Sequence, residues 1–407
     1  MKKTMLFAIL YGASVLLAGN AYASEGGSIS NGEVKIGVLT DMSGVYKTNT
    51  GPGSVTAARM AVEDFGGSVL GKPIEVIVAD HQNKADIGSS IARQWIDEDH
   101  VDMITGLGNS AVGVAVQNLA SDKHVITINT GAGTVALTEK QCTRYGLHYV
   151  YDTYSVPTST ATAVVDGGGD SWFFITANYS FGHSLQQNAT NAIEAAGGKV
   201  IGSAKHPIGT DDFASYLIQA QASGAKVIGL ADAGRDFINA VKQANAFGII
   251  QHGQKIAGML VYINDIKALG LPVAQGLEFT TAFYWNQSEA ARKWSQRFFE
   301  RHHAMPNMNQ AGTYSAVMAY LKAIKKAGTD NADQVRKALG DTPINDMFVS
   351  NGRVEPNGLM VHDMFLVKVK SPDQSHGDWD LLKVVSKVPA DKAFIPLSRS
   401  SCPLLEK

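Results

Sequence analysis

Two glycine-bearing stretches and a scatter of aromatics are the places where this chain could do chemistry. Gly66-x4-Gly71-Lys72 has the spacing of a phosphate loop. Pro73 follows the lysine, where such a loop needs a Ser or Thr hydroxyl for magnesium, and the segment runs from helix into strand, the reverse of a phosphate loop. No nucleotide is expected there. Gly106-Leu107-Gly108-Asn109-Ser110-Ala111 fits G-x-G-x-x-A after a strand and before a helix. The next strand ends in Asn129-Thr130, without the acidic residue that would hold a ribose. The same geometry has a second use. The Ser110 hydroxyl, with Asn109 beside it and the free N–H groups of a helix start, makes an anion pocket suited to a carboxylate. Equally, Ser110 would serve as the cap of its helix. Both readings stand at this stage.

The eleven histidines show no H-E-x-x-H or related metal spacing, and His302 and His303 are simply adjacent. There is no G-x-S-x-G elbow and no cysteine near a plausible base. Neither a metal nor a cofactor is expected, although a triad dispersed along the chain would leave no local motif. Aromatics gather at predicted loop positions: Tyr46, Tyr179, Phe181, Tyr262 and the run Phe283-Tyr284-Trp285. Such side chains either wall an apolar ligand pocket or pack in the core.

The elements that must position these residues alternate. Residues 34–39, 74–79, 103–106 and 125–129 read as short buried strands, separated by helical patterns at 54–65, 87–98 and 111–120. That order implies a parallel sheet with helices on both faces. The pattern restarts after Thr153. Helices are expected at 155–165, 181–196, 213–223 and 237–248, and strands at 171–176, 200–206, 227–231 and 255–260. Three more helices follow at 288–303, 312–327 and 332–339. Residues 353–360 and 363–370 are expected to form a terminal hairpin, with Asn357-Gly358 in or near its turn.

Lys2 and Lys3, the apolar run 5–17 and Ala21-Tyr22-Ala23 form the pattern of a secretory signal peptide cleaved near Ala23. The run is too short to span a bilayer. The precursor carries a formal charge of −2, and loss of the two leader lysines makes the mature chain slightly more acidic. That balance offers no basic footprint for nucleic acid. A length of 407 residues suggests two domains. Export and an even count of two cysteines point to one Cys142–Cys402 disulfide, the alternative being two buried thiols.

The chain resembles the leucine/isoleucine/valine-type periplasmic binding proteins, the type I substrate-binding proteins of ABC importers. The resemblance is carried by Ile36-Gly37-Val38-Leu39-Thr40-Asp41-Met42-Ser43-Gly44, Gly51-Pro52-Gly53 and Ala57-Ala58-Arg59-Met60-Ala61-Val62-Glu63-Asp64. Asn178-Tyr179-Ser180-Phe181-Gly182 and Gln310-Ala311-Gly312-Thr313-Tyr314-Ser315 continue it. It covers essentially all of the mature chain. It implies an α/β fold of two Rossmann-like lobes with parallel sheets, joined by three hinge crossovers and closing on a small solute. The first lobe is expected from 33–152 plus about 285–345. The second is expected from 153–284 plus about 346–395, and 396–407 is left as a tail. By position, the ligand-binding serine of the family falls on Ser110. The backbone contacts after the fourth strand fall on Gly131 and Gly133, and the second-lobe aromatic falls on Phe181, with Tyr179 beside it.

The family's amino-acid binders place an acidic residue near a hinge-proximal strand end, to pair the ligand ammonium. Here that region reads Gly258-Met259-Leu260-Val261-Tyr262, without an acid. Asp232 is a candidate substitute, or a cap for the helix that follows it. The sequence looks closer to a subgroup linked to aromatic acids: Tyr46, Phe181 and Tyr262 suit such a ligand, with Ser110 and Arg235 as candidates to take its carboxylate. The expected function is a monomeric periplasmic carrier that delivers a small, apolar or aromatic carboxylate to the permease subunits of an ABC importer. Branched-chain amino acid or amide binding, a periplasmic sensor for a signalling receptor and, more remotely, a secreted hydrolase are the alternatives.

Overall fold

The computed structural model describes residues 29–405; the expected leader lies outside them. The first sheet grows from β1 (Val34–Thr40), which leads through a ten-residue loop into α1 (Gly51–Phe65). Gly66 ends α1 in the left-handed conformation, with its N–H on the Glu63 carbonyl. Then come β2 (Ser68–Val69), β3 (Lys72–Asp80), α2 (Ala85–Asp97), β4 (Met103–Gly106), α3 (Ser110–Asp122), β5 (Ile126–Asn129) and β6 (Gly146–His148). The sheet order is β2-β3-β1-β4-β5-β6. All but the β2 pairing are parallel. β4 and β5 are buried throughout, as parallel strands covered on both faces must be.

The chain then crosses to a second unit: α4 (Ser155–Asp166), β7 (Ser171–Ala177), α5 (Ser180–Ala195), β8 (Lys199–His206), α6 (Ala214–Ala222), β9 (Val227–Ala231), α7 (Arg235–Ala246), β10 (Lys255–Gly258), α8 (Ile263–Leu269), α9 (Leu271–Ala274) and β11 (Glu278–Thr281). Its parallel sheet has the order β10-β9-β7-β8. A second crossing returns the chain to the first unit as α10 (Glu289–His302), α11 (Met308–Ala327) and α12 (Ala332–Gly340), of which α10 and α11 pack on α1. Asn307 caps α11 and Asn331 caps α12, each accepting two backbone N–H groups.

The expected terminal hairpin is corrected here. The Asn357-Gly358 turn closes only a short ladder between β12 (Arg353–Val354) and β13 (Met360–Val361). Residues expected in its other arm form β14 (Met364–Val369), which pairs with β11 and with β15 (Leu382–Val388) in a separate antiparallel sheet. The stretch 346–361, expected with the second lobe, instead bonds to the first sheet. Gly358 O accepts from His148 N at 2.9 Å and Asn357 Nδ2 donates to Thr138 O at 3.0 Å. Gly358 has φ +86°, and a Cβ there would sit 2.1 Å from Gly146 O, so the docking needs glycine. The third crossing therefore falls between β13 and β14. After α13 (Ala390–Ala393) the tail returns to the first unit, where Cys402 is bonded to Cys142. Ser400 and Ser401 hydroxyls donate to Glu139 beside that bond.

Candidate functional site

The ends of the first unit's central strands approach one another closely. A Cβ on Gly131 would meet Gly108 Cα at 2.8 Å, and one on Gly133 would meet the Phe181 ring at 3.1 Å. The second contact crosses from one unit to the other. Between them lies a narrow, closely packed cavity. Tyr46, Tyr179, Phe181, Tyr262, Ser110, Gly131 and Gly133 all line it. So do residues the sequence reading missed, among them Asn49, Thr50, Tyr151 and Leu260. Tyr151 stood in the run Tyr149-Val150-Tyr151 just before the restart of the α/β pattern, and its position at a crossing was the available signal.

The hydrogen bonds around the cavity decide what it offers a ligand. Asn109, not Ser110, caps α3: its Oδ1 accepts from Ala111 N at 2.9 Å and Val112 N at 3.3 Å. Ser110 is thereby freed from the capping role. Its Oγ accepts from Gly133 N at 3.3 Å and Thr134 N at 3.2 Å, so its own hydrogen is left to donate. The Ser110 N–H, at the start of α3, likewise has no acceptor among the described residues. The backbone N–H groups of Gly131 and Gly133, expected as ligand donors, are directed to Asn129 Oδ1 and Ser110 Oγ.

The tyrosines form two inter-unit pairs. Tyr151 O–H donates to Gly131 O at 2.7 Å, so the 2.8 Å Tyr151–Tyr262 bond must use the Tyr262 hydrogen. Tyr262 accepts in turn from Asn309 Nδ2 at 3.2 Å. Both hydroxyl hydrogens of that relay are committed. Tyr46 and Tyr179 meet at 2.7 Å, and one of their two hydrogens is left over. Burial raises the pKa of all four phenols, keeping them as neutral O–H groups. No charged side chain lines the cavity among the described residues.

Two candidates stand elsewhere. Arg235 is half-exposed and its guanidinium turns toward Asp211 at 3.8 Å; only its backbone N–H reaches across, donating to Val45 O at 3.2 Å. It does not line the cavity. Asp232 is fully buried behind the wall, 3.4 Å from His206 Nε2. It neither lines the cavity nor caps α7, whose N-cap position is held by Gly234. His206 Nδ1 lies 2.9 Å from Pro207 O and so must carry a hydrogen. The facing Nε2 and the Asp232 carboxyl lie within ion-pair reach, and neither has a hydrogen-bond partner among the described residues. Burial pushes the Asp232 carboxyl up, against the attraction of His206. At His206, burial opposes the charge, but Asp232 outweighs it and raises the pKa.

The comparisons agree with this architecture. The periplasmic binding protein family model matches residues 33–376. A periplasmic binding protein from Burkholderia mallei is 46% identical, with 92% of this chain and 100% of that one covered and a TM-score of 0.90. A branched chain amino acid ABC transporter periplasmic ligand-binding protein from Burkholderia xenovorans is 39% identical, covering 91% and 100%, with a TM-score of 0.82. A solute-binding protein of an ABC transporter from Rhodopseudomonas palustris, in complex with 3,4-dihydroxy benzoic acid, shares the fold at 20% identity, 88% and 98% coverage and a TM-score of 0.80. With two α/β units, a cleft between them and a family match over most of its length, the chain belongs to the periplasmic binding proteins, in the type I fold of the substrate-binding proteins of ABC transporters.

Proposed function

We propose that the protein captures a small carboxylate with an aromatic or other apolar body and delivers it to the permease of an ABC importer. The observation that carries the ligand class is the wall of the cavity: donors without a countercharge. Ser110 Oγ–H and N–H stand together at the start of α3, where the helix dipole also favours an anion. Tyr46, Tyr151, Tyr179, Phe181 and Tyr262 supply the flat apolar surface. An α-ammonium group would find no carboxylate. Asp232 is engaged with His206, and Asp265 with Asn49 and the Tyr262 N–H. A buried ammonium without a partner costs several kcal/mol.

A branched-chain amino acid is the second reading, favoured by the name of the Burkholderia xenovorans relative. A thermal-shift panel separates the two. Benzoate and its ring-substituted relatives should raise the melting temperature, by about 2.7 kcal/mol of added stability at 100 times the dissociation constant. Leucine, isoleucine and valine should not. A large shift with leucine and none with the aromatic acids would reverse the choice.

A further inference from the structure

One loop of the first unit, residues 41–50, reaches three helix starts of the second. Val45 O accepts from Arg235 N, the first residue of α7, at 3.2 Å. Tyr46 OH meets the hydroxyl of Tyr179, the residue before α5, at 2.7 Å. Asn49 Nδ2 donates to Asp265 Oδ1, in the first turn of α8, at 3.0 Å. The loop has its own brace: the buried Asp41 carboxylate accepts from Gly44 N at 2.6 Å, Tyr46 N at 2.8 Å and Asn83 Nδ2 at 2.6 Å. Tyr46 and Asn49 also line the cavity, so this loop joins the ligand site to the contact between the units.

Asp265 is the unusual member. Its side chain is fully buried, and its second oxygen accepts from Tyr262 N at 3.0 Å. Both partners are neutral. No cation pairs with it among the described residues. Lys267 on the same helix turns to Asp378, Lys47 on the facing loop is exposed, and α11 presents Asn307 and Asn309. The charge that acts on it is acidic: Asp232, just past the end of β9, beside His206. A carboxylate enclosed by neutral groups and an acid is poorly solvated as an anion.

We propose that Asp265 is the catch of an inter-unit latch: a positioning residue that holds Asn49, and with it the ligand-lining loop, and that takes up a proton as the units close. The proposal rests on the reading that the units close over a ligand. Burial raises the closed-state carboxyl to about 7, whereas a water-exposed aspartate titrates near ~4. A group whose pKa is higher in the closed state favours closure as pH falls between those two values.

The test uses the full mature chain, wild type and Asp265→Asn, which keeps an acceptor for Asn49 but cannot titrate. Small-angle scattering of the ligand-free proteins at pH 8 and 5.5 should show the wild type compacting at the lower pH and the variant unchanged. Benzoate, ionised across this range, should bind the wild type about tenfold or more tightly at pH 5.5 than at pH 8, with proton uptake seen in calorimetry in two buffers. The variant should lose that dependence. Asn49→Ala, which removes the donor to that carboxylate, should weaken benzoate binding at pH 8, where Asp265 is ionised, more than at pH 5.5. A dependence in either readout that Asp265→Asn removes supports the catch. A dependence that survives in the variant, or none in the wild type, overturns it. If benzoate fails to bind at all, the ligand class is wrong and the scattering still decides the latch.

Discussion

Ser110 and Asn109 divide a task that sequence alone left to one residue. The motif marked the helix start, but only the bonds from Ala111 N and Val112 N to Asn109 assign the cap. The two substitutions should therefore separate. Asn109→Ala should lower stability by about 1 kcal/mol, the usual cost of a lost cap. Ser110→Ala should weaken carboxylate binding by about 1.5–3 kcal/mol, roughly 10- to 150-fold, as loss of a hydrogen bond to a charged group does. Calorimetry beside melting curves checks both. Equal affinity losses in the two variants would mean that the anion is not held at Ser110. Of the loop aromatics, Tyr46, Tyr179, Phe181 and Tyr262 line the cavity, whereas Phe283 and Tyr284 pack in the core, a division the loop positions alone did not report. Asn49 and Asp265 were not legible, because an uncharged amide and a first-turn acid look like ordinary loop and helix-start residues until the units meet.

At the scale of elements, the parallel strands β1, β4, β5, β7 and β9 were readable because each is a short apolar run buried almost throughout. β15 was missed for the opposite reason: residues 383–387 are all exposed, so they show no buried alternation. The hairpin misjudgement has a similar source. Asn357-Gly358 is a true turn signal, but the partner of β14 is set by β11, more than 80 residues earlier, and no local pattern reports that. Gly358→Ala should cost more than about 1 kcal/mol, through the left-handed φ and the Gly146 carbonyl. Urea denaturation measures it, and a neutral result would mean that the 346–361 segment does not dock as described. The Cys142–Cys402 bond closes a loop with a sequence separation of 260. Its removal by Cys142→Ser with Cys402→Ser should lower stability by up to ~5 kcal/mol in the chain-entropy model. The same melts detect that, and an unchanged midpoint would show that Glu139, Ser400 and Ser401 suffice to hold the tail.

For the whole molecule, burial raises the carboxyls of Asp102, Asp236 and Asp265 to about 7. Such groups hold protons in the folded state that the unfolded chain releases near ~4, so their contribution is present at low pH and lost as pH rises through 7. Burial lowers His81 and His148 to about 4, and their contribution is instead lost as pH falls below the ordinary histidine value. From pH 8 to 7 the carboxyls titrate while the histidines stay mostly neutral in both states, and stability should rise by up to about 1 kcal/mol. A melting temperature that falls over that interval would show these aspartates to be ionised in the fold. The central claim concerns the ligand, and calorimetric titration of the wild-type protein with benzoate, benzamide and leucine tests it most directly. Benzoate should bind, benzamide should bind at least about tenfold more weakly for want of a charge to place at the start of α3, and leucine should give no measurable heat; tight binding of leucine with benzoate silent would contradict the account.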